Sequence, residues 1–192
     1  MIIIGITGTL GAGKGTVVDY LVQNKGFTHY SVRAFLRKEL ESRHMPVNRD
    51  TLLAIANTLR AKYGPAHIVE QLYAQASTSG KPCVIESIRT PGEVYALRSL
   101  PGFSLLAVDA DPRVRYRRIK TRNSETDQVS YQTFVMNEER EMHTSNPNHQ
   151  NLSECIRLAD HTIMNNGSLN ELHQHTEEFL IQCGYNNTKH KK

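Results

Sequence analysis

Gly8-Thr9-Leu10-Gly11-Ala12-Gly13-Lys14-Gly15-Thr16 is the segment of the 192-residue chain whose residue types and spacing point most directly to chemistry. Glycines at positions 8, 11, 13 and 15 let successive backbone N–H groups turn into one concavity, and Ala12 adds little bulk to it. Lys14 places a point charge at its rim, and Thr16 supplies a hydroxyl able to ligate a magnesium ion. The segment follows a β-branched run and opens a helical pattern, so the N–H groups of a helix N-terminus add positive potential. The product is an anion cradle of the kind that holds the β and γ phosphates of a nucleoside triphosphate. In the common form of this pattern the hydroxyl follows the lysine directly, whereas here Gly15 intervenes and Thr16 carries it.

The elements that must position this loop are legible as alternating patterns. Ile2, Ile3, Ile4 and Ile6 form a continuous apolar run, as expected of a strand buried on both faces of a parallel sheet. Cys83-Val84-Ile85 and Ser104-Leu105-Leu106-Ala107-Val108 are two more such runs, and residues 161–164 form a shorter one, so four strands is the minimum. Helical periodicity covers residues 14–24, 32–43, 49–63, 66–76, 92–99, 112–122, 131–143 and 169–183. Strand and helix in alternation predict a three-layer α/β/α fold with a parallel sheet, its ligand at the carboxyl ends of the strands. Residues 121–131 and 144–152 are polar and bracket a charged helix with Glu138, Glu139, Arg140 and Glu141, the composition of a mobile lid over about 121–152. One domain over residues 1–185 is expected, followed by a basic, disordered tail at 186–192.

Composition narrows the function classes. With 39% hydrophobic and 22% charged residues and no Trp, the chain falls in the soluble globular class. Its apolar start is too short for a signal peptide, and no stretch approaches the roughly 18 apolar residues that cross a bilayer. Cys83, Cys155 and Cys183 are odd in number and far apart, which suits a reducing, cytoplasmic compartment. The net charge of +4 gathers partly in the tail and partly between Arg113 and Arg122. A local anion site accounts for that cluster, and the few aromatics are not interleaved with basic residues, which argues against nucleic acid. The nine histidines lack close metal-ligand spacing: His173 and His175 do not share a helix face. No feature sets an oligomeric state.

Gly-Lys-Gly-Thr, with the hydroxyl displaced by one residue, resembles the loop of adenylate kinase and related nucleoside-monophosphate kinases of the P-loop superfamily. Further segments resemble that superfamily in the same order. Ser31-Val32-Arg33-Ala34-Phe35-Leu36-Arg37 resembles the acceptor-side helix, with Val32-Arg33 in place of a Thr-Gly pair. The resemblance implies that Arg37 holds an acceptor phosphate, the plain alternative being a solvated helix arginine. Val84-Ile85-Glu86-Ser87-Ile88-Arg89 resembles the family's Asp-Gly-Phe-Pro-Arg segment, with Glu86 for the Asp and no proline. Glu86 would then order the magnesium water shell and Arg89 grip the acceptor phosphate bidentately, unless the two simply pair with each other.

Arg118-Ile119-Lys120-Thr121-Arg122 resembles the segment leading into the lid, where arginines close over the transferring phosphoryl group. Arg118 and Arg122 lie at i and i+4 on one helix face, which Arg115 shares and Arg117 does not. Arg140 is a second candidate of this kind, or a salt-bridge partner of Glu138 or Glu141. Residues 159–172 resemble the last strand and helix start of dephospho-CoA kinase, which places Asn165 and Gly167 near the adenine of ATP; an ordinary turn capped by Ser168 is compatible with this. From Ile2 to about Ile181 the chain is also similar to an archaeal-type group of small P-loop kinase-like proteins, notably in Ser87-Ile88-Arg89-Thr90-Pro91-Gly92-Glu93-Val94 and Val108-Asp109-Ala110-Asp111-Pro112. These resemblances imply ATP and Mg2+ as cofactors and a small-molecule nucleotide as substrate. A nucleoside or deoxynucleoside monophosphate kinase is the first reading. A dephospho-CoA kinase-like enzyme stands against it, though residues 30–35 lack the acidic pair of that family, as does a regulatory nucleotide-binding domain.

Overall fold

Strands β1 (Ile3–Thr7), β2 (Thr28–Ser31), β3 (Cys83–Glu86), β4 (Phe103–Asp109) and β5 (His161–Met164) form one sheet in the order β2-β3-β1-β4-β5. Every pairing in it is parallel. The computed structural model describes residues 1–122 and 128–185. The tail expected at 186–192 and residues 123–127 of the expected lid lie outside the described residues. β1 is central and buried at every position, which is why its sequence reads as an unbroken apolar run.

Successive residues of β1 serve opposite faces. Ile3 joins Ile85 and Leu105 under helices α2 (Val32–Ser42), α3 (Arg49–Tyr63), α4 (His67–Ser79) and α5 (Pro91–Arg98). Ile4 and Ile6 join Val84, Leu106 and Val108 under α1 (Lys14–Lys25) and α9 (Leu169–Gln182). The sheet with these two covers is the three-layer α/β/α arrangement. Helix α6 (Pro112–Arg122) follows β4, and α7 (Tyr131–Met142) packs Phe134 against it, 1% exposed beneath the Arg115 guanidinium.

Two elements differ from the sequence expectation. β2 is a half-exposed edge strand of Thr, His, Tyr and Ser, and pairs on one side only, so it needs no apolar run. Helix α8 (Leu152–Arg157) has six residues, too few for a visible period, and begins inside the segment expected to be lid. Its N-cap Asn151 donates its backbone N–H to the Arg89 carbonyl at 2.9 Å, which ties the end of that segment to the sheet.

One buried contact fixes α3 against the start of α5. Arg60 of α3 and Glu93 of α5 are 1% and 0% exposed, and Arg60 Nη2 donates to Glu93 Oε1 at 2.8 Å. The other oxygen, Oε2, accepts the backbone N–H groups of Arg89 (2.8 Å) and Thr90 (3.1 Å), while Thr90 returns a hydroxyl to the Glu93 N–H as a capping box. Glu93→Ala removes all of this and strands a buried guanidinium. A loss of about 3–5 kcal/mol in urea unfolding is expected.

Candidate functional site

The loop between β1 and α1 is shaped by what stands behind it. Gly8, Gly11 and Gly13 have φ of 129°, 80° and 107°, where L side chains rarely go. A Cβ on Gly8 would meet the Val108 carbonyl oxygen at 1.9 Å, on Gly11 the Arg115 oxygen at 2.7 Å, and on Gly13 the Asn165 side-chain nitrogen at 2.4 Å. Gly15 differs: a Cβ there meets nothing within 4 Å, and its exposed face lines the cavity in front of the loop. Ala12 is fully buried. The back of the loop is braced by Thr9 Oγ1 on Asp109 Oδ1, Asn165 Nδ2 on the Ala12 carbonyl (2.7 Å) and Arg115 Nη1 on the Leu10 carbonyl (3.3 Å).

Lys14 Nζ donates to the carbonyls of Gly8 (2.8 Å) and Thr9 (2.7 Å). Burial, helped by the charge of Arg89, brings its ammonium down to about 7 against the opposing pull of Glu86 and Glu141. Glu86 closes β3 directly beside β1, in register with Ile6. Burial alone would raise its carboxyl; the 3.1 Å contact with His29 Nε2, together with Lys14 and Ser87, outweighs that and holds it below the usual carboxylate range. Ser87 then takes a φ of 73°, and the N–H groups of Ser87 and Ile88 both reach the Ile6 carbonyl at 3.1 Å. This tight turn delivers Arg89 to the mouth of the sheet.

In front of these groups lies a cavity of about 880 Å³ at the carboxyl ends of the strands. Lys14, Gly15 and Thr16 line one end of it, Glu86 and Arg89 its floor, and Arg118 and Arg122 one side. Helices α2 and α3 line it with the aliphatic Val32, Leu36, Leu52, Leu53 and Ala56 and also with Arg33, Arg49 and Arg60. Such a space offers phosphate donors together with a surface for an apolar or aromatic group.

A profile of an AAA domain family matches residues 4–146. A UPF0200 protein of Methanothermobacter thermautotrophicus is 30% identical over 182 residues, which is 94% of this chain and 90% of the relative. The chain belongs to the UPF0200 family. A second UPF0200 relative, from Methanococcus maripaludis, is 30% identical over 171 residues, 88% of this chain and 90% of its own length. Among solved structures, TT1252 from Thermus thermophilus superposes with a TM-score of 0.64 at 23% identity over 94% of this chain and 97% of that one. Shikimate kinase from Bacteroides thetaiotaomicron does so with a TM-score of 0.60 at 13% identity over 94% and 98%. The fold of this UPF0200 chain is thus that of the P-loop kinases.

Within that fold the residues singled out from sequence separate into groups. Gly11, Gly13, Lys14, Gly15, Thr16, Glu86, Arg89, Arg118 and Arg122 all line the cavity. Arg118 Nη1 donates to the carbonyls of Asn165 (2.9 Å) and Ala12 (3.5 Å), which anchors it to the loop. Gly8, Ala12 and Asn165 lie behind the loop as its support. Gly167 is exposed in the turn after β5, beside Glu171, and Arg37 is exposed on α2; neither lines the cavity. The turn of α2 that faces inward carries Arg33 and Leu36 instead. Arg89 does not pair with Glu86: its Nη1 donates to Glu141 Oε2 at 2.7 Å and to Gln150 Oε1 at 3.0 Å. Arg140 is exposed, while Glu138 pairs with Arg115 at 2.8 Å and Glu141 with Arg89 and Arg49. Arg49, Glu141 and Gln150 are cavity residues that sequence reading missed, because the sites they join are remote in the chain.

Two glycine variants separate packing from ligand space. Gly8→Ala drives a methyl group into β4, and a loss upward of about 2 kcal/mol is expected on thermal or urea unfolding. Gly15→Ala meets open space on a helix, so its melting temperature should equal or exceed that of the parent.

Proposed function

We propose that the chain is an ATP-dependent phosphotransferase acting on a nucleotide acceptor, in the first place a nucleoside or deoxynucleoside monophosphate. One observation carries this reading: a single cavity is lined by the Lys14 loop, by Arg89 and by the aliphatic side chains of α2 and α3. Donor phosphates and an acceptor with both an anionic and an apolar part fit side by side in it. The solved neighbours named as shikimate kinase and as gluconokinase, the latter from Sinorhizobium meliloti, are in keeping with phosphoryl transfer to a small acceptor.

In this reading the loop N–H groups and Lys14 hold the outer phosphates of ATP. Thr16 and the ionised Glu86, both hard oxygen donors on the same cavity, are suited to hold magnesium; the ion, when bound, offsets phosphate charge. Arg89 orients the acceptor phosphate, and Arg118 and Arg122 stand where negative charge spreads during transfer. The aliphatic side chains seat the rest of the acceptor and keep water from competing with it. Positioning and charge neutralisation supply the acceleration, and no general base is required.

Release of ADP from Mg-ATP, measured against a panel of ribo- and deoxynucleoside monophosphates and dephospho-CoA, tests the proposal. Stimulation by one acceptor, lost in Lys14→Ala, is expected. Tight ATP binding with no stimulated turnover by any acceptor would replace it with a regulatory nucleotide-binding domain.

Lys14 also predicts a pH dependence of binding. With its free-state pKa near 7 the lysine is largely neutral at pH 8, and a bound triphosphate favours the charged form. Binding therefore takes up a proton above about pH 7, and Kd should rise by up to about tenfold per pH unit there while staying flat below. Calorimetry of ATP binding in buffers of different ionisation enthalpy measures that proton directly, and Lys14→Ala should abolish the uptake.

A further inference from the structure

Arg49, in the first turn of α3, and Arg89, after β3, converge on one carboxylate. Arg49 Nη2 bonds Glu141 Oε1, and Arg89 Nη1 bonds Glu141 Oε2 at 2.7 Å. All three side chains line the cavity, and the Glu141 side chain is 15% exposed. The arrangement is that of two guanidiniums clasping an oxyanion from either side, the geometry by which arginines hold phosphate. Here the oxyanion comes from the chain itself.

The charges do not balance within this cluster. Two permanent cations face a single carboxylate, whereas a phosphate monoester dianion would bring two charges and three oxygens to the same donors. Gln150 Oε1, 3.0 Å from Arg89, takes up part of the remaining donor capacity without adding charge. The cluster is also close to the donor end, since the charges of both Arg89 and Glu141 act on the Lys14 ammonium. Helix α7, which carries Glu141, has a separate mooring: Glu138 pairs with Arg115 at 2.8 Å, and Phe134 is buried beneath the same arginine. Glu141 can therefore leave the arginines while α7 stays attached.

We propose that Glu141 is an internal stand-in for the acceptor's phosphate, held by Arg49 and Arg89 until a phosphate monoester dianion displaces it. The inference rests on the phosphotransferase reading and deepens it by assigning Arg49 and Glu141 to the seat of the acceptor phosphate. A neutral hydroxyl compound cannot displace a carboxylate from two arginines, and a monoanionic carboxylate exchanges charge for charge without gain. A dianion does gain, so the site selects phosphorylated acceptors and rejects sugars and simple acids. Until such an acceptor arrives, Glu141 offsets part of the charge of two half-buried cations. Its displacement frees one mooring of α7, coupling that helix to acceptor occupancy.

Inorganic phosphate at pH 7.5, titrated calorimetrically, tests this without any phosphoryl transfer. The full-length chain would carry Lys14→Ala to weaken the loop as a competing anion site, alone and combined with Glu141→Gln or Arg49→Gln. Removing the internal anion should tighten phosphate binding by about tenfold, removing Arg49 should weaken it by about as much, and acetate should not bind measurably while Glu141 is in place. Unchanged or weaker binding in the Glu141→Gln protein, with an unaltered melt, would overturn the proposal. Should that variant fail to fold, phosphate affinity indifferent to Arg49→Gln would overturn it equally. Absence of acceptor-stimulated ADP release alongside the expected phosphate shifts would count against phosphotransfer alone and leave this seat standing.

Discussion

Everything at the carboxyl end of the sheet hangs on how closely the glycine-rich loop approaches strand β4. Between Gly8 and the Val108 carbonyl there is no space for even a methyl group, and this contact sets the height at which the loop leaves the sheet. The braces that follow make sense only at that height: Thr9 on Asp109 at the end of β4, Ala12 under Asn165 after β5, and Leu10 under Arg115 of α6. Three separate elements of the chain thus converge on the back of one nine-residue turn. Their polar groups are consumed in holding it, so the front, with its N–H groups and Lys14, is left for a ligand.

The opposite wall is built on different physics. There the helices α2 and α3 offer aliphatic side chains to the cavity, and a carboxylate with no solvent exposure, that of Glu93, orders the first turn of α5 beneath it. A buried ion pair of this sort is weak evidence for stability and better evidence for geometry. It sets the backbone from which Arg89 projects. The cavity therefore joins a rigid anion site made of backbone to a seat whose charged parts are side chains from α3, α7 and the turn after β3. Such side chains exchange partners more readily than a braced loop does.

How far the sequence foretells this depends on whether a feature is local. The loop is contiguous, and its strand and helix neighbours announce themselves by composition, so Gly8 to Thr16 was readable in full. Strands β1, β3, β4 and β5 carry apolar runs for the same reason. β2 does not, because an edge strand can be polar, and α8 is too short to show a period. On α2, resemblance pointed to Arg37 while helical phase turns Arg33 and Leu36 inward. Resemblance places Asn165 near an adenine, and its brace on the Ala12 carbonyl carries no sequence signal. The meeting of Arg49, Arg89 and Glu141 joins three separate elements, and only the tertiary fold brings their charges within reach. Nothing in the spacing of those residues announces it.

The four glycines of the loop face two unlike constraints. Gly8, Gly11 and Gly13 are required by the protein's own backbone, with or without a ligand, because each abuts other parts of the chain. Gly15 abuts nothing. Mutational drift at the first three is checked by folding, at the fourth only by whatever occupies the cradle. A lineage that abandoned its ligand would retain the three and let the fourth wander, so variation at that position reads out retained chemistry where the rest of the motif reports only a retained fold.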